Sequence, residues 1–131
     1  MELNDIEFNF YVISLLREKT KNIEYCNVHA TYPEEKTTFP MIVVDFSKSP
    51  SVFGVNRNVF NYDITIYVDI YTNSRNESIK LMNLVEESML EQGFTYANGN
   101  KPTINSDKKY YISNTFKIGY NNISKKLERV I

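Results

Sequence analysis

Cys26 and His29 are the chain's only cysteine and histidine, and they stand three residues apart. A thiolate nucleophile needs a base within hydrogen-bond reach. On an extended segment, positions i and i+3 face opposite sides, so the pair reads as a small buried thiol beside an incidental imidazole. One of each excludes an intrachain disulfide, a cysteine-rich metal cluster and most zinc sites. Asp63 and Asp69 share a strand face but lie about 20 Å apart at the ordinary strand rise. Acid and base in glycoside hydrolysis sit within roughly 10 Å. Asp45, on a neighbouring strand, is the carboxylate able to approach either, yet solvated strand carboxylates are the better reading. Glu34–Glu35 and Glu86–Glu87 lack the alternating oxygen spacing of a calcium loop. Gly54, Gly93, Gly99 and Gly119 are isolated, so no glycine-rich loop cradles a phosphate. The expectation is a protein that is not an enzyme and holds no cofactor and no metal.

Contact chemistry is better represented. Tyr67, Tyr71 and Tyr111 fall on the faces of long strands opposite the main apolar set. Such rings stack bases in RNA-binding sheets. Here the basic-Gly-aromatic-Gly pattern is missing and the net charge is −1 with a pI near 5.9. A protein-facing patch is therefore expected, without sequence-specific nucleic acid. The stretch Ser47 to Asn58 reads as a loop of about a dozen residues, longer than the usual two to five of a hairpin. Its Val52, Phe53 and Val55 are hard to bury in a solvent-bound loop, and with Arg57 they form a candidate contact element. Phe53 folded back over the sheet edge is the competing reading.

Regular elements must position these groups. A helix is expected from Asp5 to Lys19, with Ile6, Phe10, Ile13 and Leu16 as its apolar stripe. A strand follows at Asn27 to Tyr32, with Val28, Ala30 and Tyr32 on one face. Met41 to Phe46 is apolar on both faces apart from Asp45, the pattern of a central strand. Phe60 to Thr72 alternates apolar and polar residues and is the strongest strand signal. Ser74 or Asn73 caps a second helix running to Gln92, with Ile79, Met82, Val85 and Met89 as its stripe and Gly93 closing it. Phe94 to Ala97 then leads into an Asn98–Gly99 hairpin, with Pro102 marking the return strand as an edge. Tyr110 to Tyr120 is the last long strand, its apolar face interrupted by Asn114. The basic tail from Asn121 reads as a short helix or an arm. The whole is an α+β fold: a mostly antiparallel sheet packed with two helices, in two layers, as a single domain over residues 1–131.

Composition agrees with that class. The chain has 131 residues, 42% of them hydrophobic and 24% charged, which suits one globular domain. The acidic N-terminus is unlike a secretory signal, and the apolar runs are far shorter than the roughly 20 residues of a membrane helix. Synthesis in the cytoplasm, with no membrane partner, is expected. Residues 1–35 carry a net charge of −4 and residues 101–131 a net charge of +5.

The order of features resembles the tail terminator (tail completion) proteins of long-tailed bacteriophages and of phage-tail-like bacteriocin particles. A leading helix is followed by a strand ending Tyr32–Pro33, then by Thr38-Phe39-Pro40-Met41-Ile42-Val43-Val44. A polar loop precedes the strand Tyr62 to Tyr71, and Ser74 opens the amphipathic helix to Gly93–Phe94. The aromatic strand Tyr110 to Phe116 closes the series, so the resemblance spans nearly the whole chain. Connector proteins of the head–tail joint share much of the same pattern. The resemblance implies a non-enzymatic virion structural protein, assembled in the bacterial cytoplasm. It would form a homo-hexameric ring on the head-proximal end of a tail tube, ending polymerisation and presenting a head-joining surface. Its partners would be its own copies, the tube protein, and the sheath protein or head connector. Lys125, Lys126 and Arg129 are candidate contacts to the next subunit in such a ring. A small cytoplasmic binding domain using the tyrosine face is the rival expectation.

Overall fold

The computed structural model describes residues 5–33, 37–53, 59–99, 101–104 and 108–128, without the side chains of 5–7, 52 and 53. Within that range the chain runs α1 (Asp5–Thr20), β1 (Asn27–His29), β2 (Met41–Phe53), β3 (Val59–Thr72), α2 (Arg75–Glu91), β4 (Thr95–Gly99), β5 (Thr103–Ile104), β6 (Tyr110–Asn121) and β7 (Lys126–Glu128). The strands form one mixed sheet in the order β1-β2-β3-β6-β4, with β5 and β7 also paired to β6. This is the expected α+β architecture, with both helices on one face. β1 runs parallel to β2, and every other pairing is antiparallel.

β3 lies at the centre. It pairs with β2 from Met41↔Tyr71 down to Phe53↔Val59, and with β6 from Thr72↔Tyr110 to Asn61↔Asn121. Ile64, Ile66, Val68 and Ile70 are fully buried under the helices, so the strict alternation in the sequence translates directly into an inside and an outside. Phe60, at the start of that alternation, is 37% exposed because it lies beyond the helix-covered core. Met41 to Val44 are all buried, as a central strand requires.

The helices bury part of the expected stripes, Ile13 and Leu16 in α1 and Val85 and Met89 in α2, and differ elsewhere, while the side chain of Ile6 lies outside the described residues. In α1 the inward residues are Phe8, Val12, Ile13 and Leu16, whereas Phe10 is 57% exposed. Phe8 wins the inward position because its ring meets three others, Tyr11, Phe46 and Phe94, at centroid distances of 6.1, 5.8 and 6.3 Å. α2 buries Ser78, Leu81, Val85, Ser88 and Met89, leaving Ile79 and Met82 half-buried. Its two serines bring the helix close to the sheet, and their hydroxyls bond backbone carbonyls one turn earlier, Ser78 to Ser74 and Ser88 to Leu84. Ser74 caps the helix by accepting from the Glu77 N–H at 3.2 Å. Gly93, at φ 93°, supplies the left-handed exit that a side chain would resist. Lys19 and Glu91, 3.2 Å apart, and Tyr11 with Gln92 link the two helices at the surface.

Four other expectations need correction. β1 ends at His29, and Ala30 and Tyr32 are exposed. Ser47 to Phe53 is strand, not loop, because β3 offers it partners to its end, with register shifts after Pro50 and Val52. Asn98–Gly99 makes no hairpin between β4 and β5: both strands pair with β6, and Gly99 lies within β4. A Cβ on Gly99 would meet the hydroxyl of the partly exposed Tyr96 and come within 2.9 Å of Asn114 Oδ1, so a larger residue there would displace the Tyr96 ring. As far as Glu128 the tail is a turn and then β7, neither helix nor free arm, with Leu127 half-buried against the core opposite Tyr120, and 129–131 lie outside the described residues.

Ile66→Ala should lower the unfolding free energy by about 2–5 kcal/mol, because a fully buried branched side chain leaves a cavity. Asn114 is fully buried; its Oδ1 accepts from the Tyr96 hydroxyl at 3.4 Å and its Nδ2 has no partner. Asn114→Leu should therefore stabilise the fold, by about 1 kcal/mol. Urea denaturation of the two variants checks both signs.

Candidate interaction surface

The sheet's second face carries no helix among the described residues. Register places its side chains in cross-strand rows: Asn27, Met41, Tyr71 and Tyr111 in one, then His29, Val43, Asp69 and Ser113, then Asp45, Tyr67 and Thr115, then Ser47, Thr65 and Lys117. Tyr67, Tyr71 and Tyr111 thus share a face, as their alternation implied.

Tyr71 and Tyr111 are direct cross-strand partners with ring centroids 5.0 Å apart. Tyr32, beyond the end of β1, meets Tyr71 edge-on at 5.2 Å. It therefore crosses β2, whose Met41 is the register partner of Tyr71 and is fully buried although it points to this face. No sequence period signals this contact, since Tyr32 lies outside any strand. Asp69 accepts a hydrogen bond from the Tyr111 hydroxyl at 3.3 Å, and the Tyr67 hydroxyl lies 3.3 Å from Ser47 Oγ. Burial first, then the Asp69 charge and the neighbouring phenols of Tyr111 and Tyr32, push Tyr71 up to about 12. Burial likewise raises Tyr111.

The other candidates scatter. Val52 and Phe53 belong to the end of β2, paired with Asn61 and Val59, while Val55, Arg57 and Arg129 lie outside the described residues. Lys125 and Lys126 sit at the turn into β7, far along β6 from Tyr111, with Lys125 Nζ donating to Asn122 Oδ1 at 3.0 Å. Cys26 is half-buried, and burial pushes its thiol up, away from the thiolate. His29 bonds Asn27 Oδ1 rather than the thiol. A groove of about 390 Å³ runs between α1 and the free margin of β2, lined by Phe10, Ile13, Arg17, His29, Asp45 and Phe46 among others. Among the described residues no cluster of His, Cys, Asp or Glu could hold a metal ion, and no helix is long and apolar enough to cross a membrane.

No protein-family model matches the chain, and no curated protein matches it.

The tyrosine cluster has a pH consequence. Tyr71 holds its proton more tightly when folded than at its ordinary value of 10.0. The stability this represents is complete below pH 10.0 and is lost as pH rises towards about 12. Denaturation midpoints measured across that window should fall less for Tyr71→Phe than for the wild type.

Proposed function

We propose that this chain is a non-enzymatic structural subunit that caps the head-proximal end of a phage or phage-tail-like tube. In this reading it assembles as a homo-hexameric ring in the bacterial cytoplasm, ends tube growth and offers the surface that joins the head connector, or the sheath in a contractile particle. The observation that carries the reading is the outer half of β2. Ser47 to Ser51 are exposed on both sides of the strand, five consecutive residues that no layer of the described residues covers. A ribbon so exposed along the sheet's edge, beside the buried Ile64 of β3, suits burial against a neighbouring subunit or the rim of a tube. The two-layer α+β architecture and the order of features that resembles tail terminators agree with it.

Val52 and Phe53 end this ribbon, and Val55 and Arg57 follow them in sequence. Phe53→Asp combined with Val55→Asp should leave the melting temperature of the subunit within a few degrees of wild type and abolish capping. The measurement is the length distribution of purified tail tubes polymerised with and without the protein. Unlimited growth with the wild-type chain would reject the function. Normal capping by the double variant would reject the ribbon's part in it.

A further inference from the structure

On the sheet face that no described helix covers, two carboxylates stand beside a cluster of tyrosine rings. Neither Asp45 nor Asp69 has an ion-pair partner among the described residues, whose ion pairs are Lys19 with Glu91 and Lys21 with Glu18. Asp45 Oδ1 accepts from the Phe46 N–H at 2.8 Å, and Asp69 Oδ1 accepts from the Tyr111 hydroxyl. The nearby basic groups are committed or distant. His29, in the Asp69 row, bonds Asn27 Oδ1, and Lys109 lies over the Phe39 ring and bonds Asn73. Lys117 shares this face, two rows below Asp69. At ordinary strand spacings it stands roughly 12 Å from Asp45 and roughly 14 Å from Asp69, beyond the Debye length of about 8 Å in physiological salt. Lys126 lies further down the same face, beside Asn121, and Lys101 precedes β5 on the far side of β6.

That setting selects its ligand by chemistry. Tyr71 lies between the rings of Tyr111 and Tyr32, with Asp69 in the adjoining row. Aromatic π faces and carboxylates both attract cations. The Asp69 charge, which after burial is the next cause of the raised Tyr71 pKa, acts in the same sense. Phosphate-bearing partners would meet two carboxylates. A wholly aliphatic partner finds little to cover, because Met41 and Val43, the aliphatic residues of the upper rows, are already buried. Among cations the planar guanidinium fits best: it stacks on a phenol ring and presents a fork of N–H donors to a carboxylate, whereas an ammonium offers a compact, strongly hydrated charge.

We propose that this patch is a docking site for an arginine-bearing segment of a partner protein, the guanidinium set against the tyrosine cluster and paired with Asp69, with Asp45 adding to the attraction. The inference goes beyond the capping reading and does not rest on it. Tyrosine and arginine are the side chains on which protein contacts most often depend, and the neighbouring charges orient the approach.

Three blocked tripeptides test it: Gly-Arg-Gly, Gly-citrulline-Gly and Gly-Glu-Gly, titrated into the full chain at low ionic strength while tyrosine ring signals are followed by NMR. Citrulline keeps the shape of arginine and removes its charge. The arginine peptide should shift the signals of Tyr32, Tyr71 and Tyr111, each identified by its Tyr→Phe variant, with millimolar affinity. The citrulline and glutamate peptides should bind roughly tenfold or more weakly. Asp45→Asn combined with Asp69→Asn retains a hydrogen-bond acceptor at both sites and should weaken the arginine peptide roughly fivefold or more. The proposal is overturned by an arginine peptide that shifts none of the three rings up to about 20 mM, by equal or tighter binding of either control peptide, or by a folded double variant that binds arginine as the wild type does. If the double variant fails to fold, the arginine-to-citrulline ratio on the wild-type chain decides alone. Tube capping is a separate readout, and its success or failure leaves this result unchanged.

Discussion

Everything in this molecule hangs on β3 being paired along nearly its whole length on both sides. Twelve register pairs join it to β6 and twelve to β2. A strand with two full ladders has no backbone group left to satisfy, so its side chains decide the two faces without compromise. Ile64, Ile66, Val68 and Ile70 draw both helices to one side. Asp63, Thr65, Tyr67, Asp69 and Tyr71 are thereby committed to the other. A slip of one residue would exchange these sets, which is why the alternation is also a strong determinant of register.

The constraint passes outward from there. β2 extends as far as β3 provides partners, and therefore runs beyond the reach of α1. β6 is held on its inner edge by β3, so its outer edge becomes the template for three short strands, none of which pairs with another. That arrangement explains why Asn98–Gly99, a good turn sequence, is used within a strand. The strands before and after it each find their partner in β6, which outweighs the local turn preference.

The same arrangement separates stability from interaction. The helix-covered face contains the apolar core, with Asn114 as a buried polar exception. The face that no described helix covers has a surface of a different kind, in which Tyr32 reaches across β2 to Tyr71 and Asp69 accepts from the Tyr111 hydroxyl.

Period-two alternation in Phe60–Thr72 and Tyr110–Tyr120, caps at Ser74 and Gly93, and the apolar run Met41–Val44 made the sheet, the second helix and the α+β class legible from the residues alone. The shared face of Tyr67, Tyr71 and Tyr111 was legible for the same reason, because alternation along a strand is a local property. The phase of α1, the length of β2, the fate of Asn98–Gly99 and the position of Tyr32 were not. Phe8 and Phe10 are equally apolar, and only the rings of Phe46 and Phe94, distant in sequence, select the first. Ser47 to Ser51 has a loop's composition and becomes strand because a partner strand continues beside it. Local patterning reports which side chains can face together; long-range contacts choose among the alternatives that patterning leaves equal.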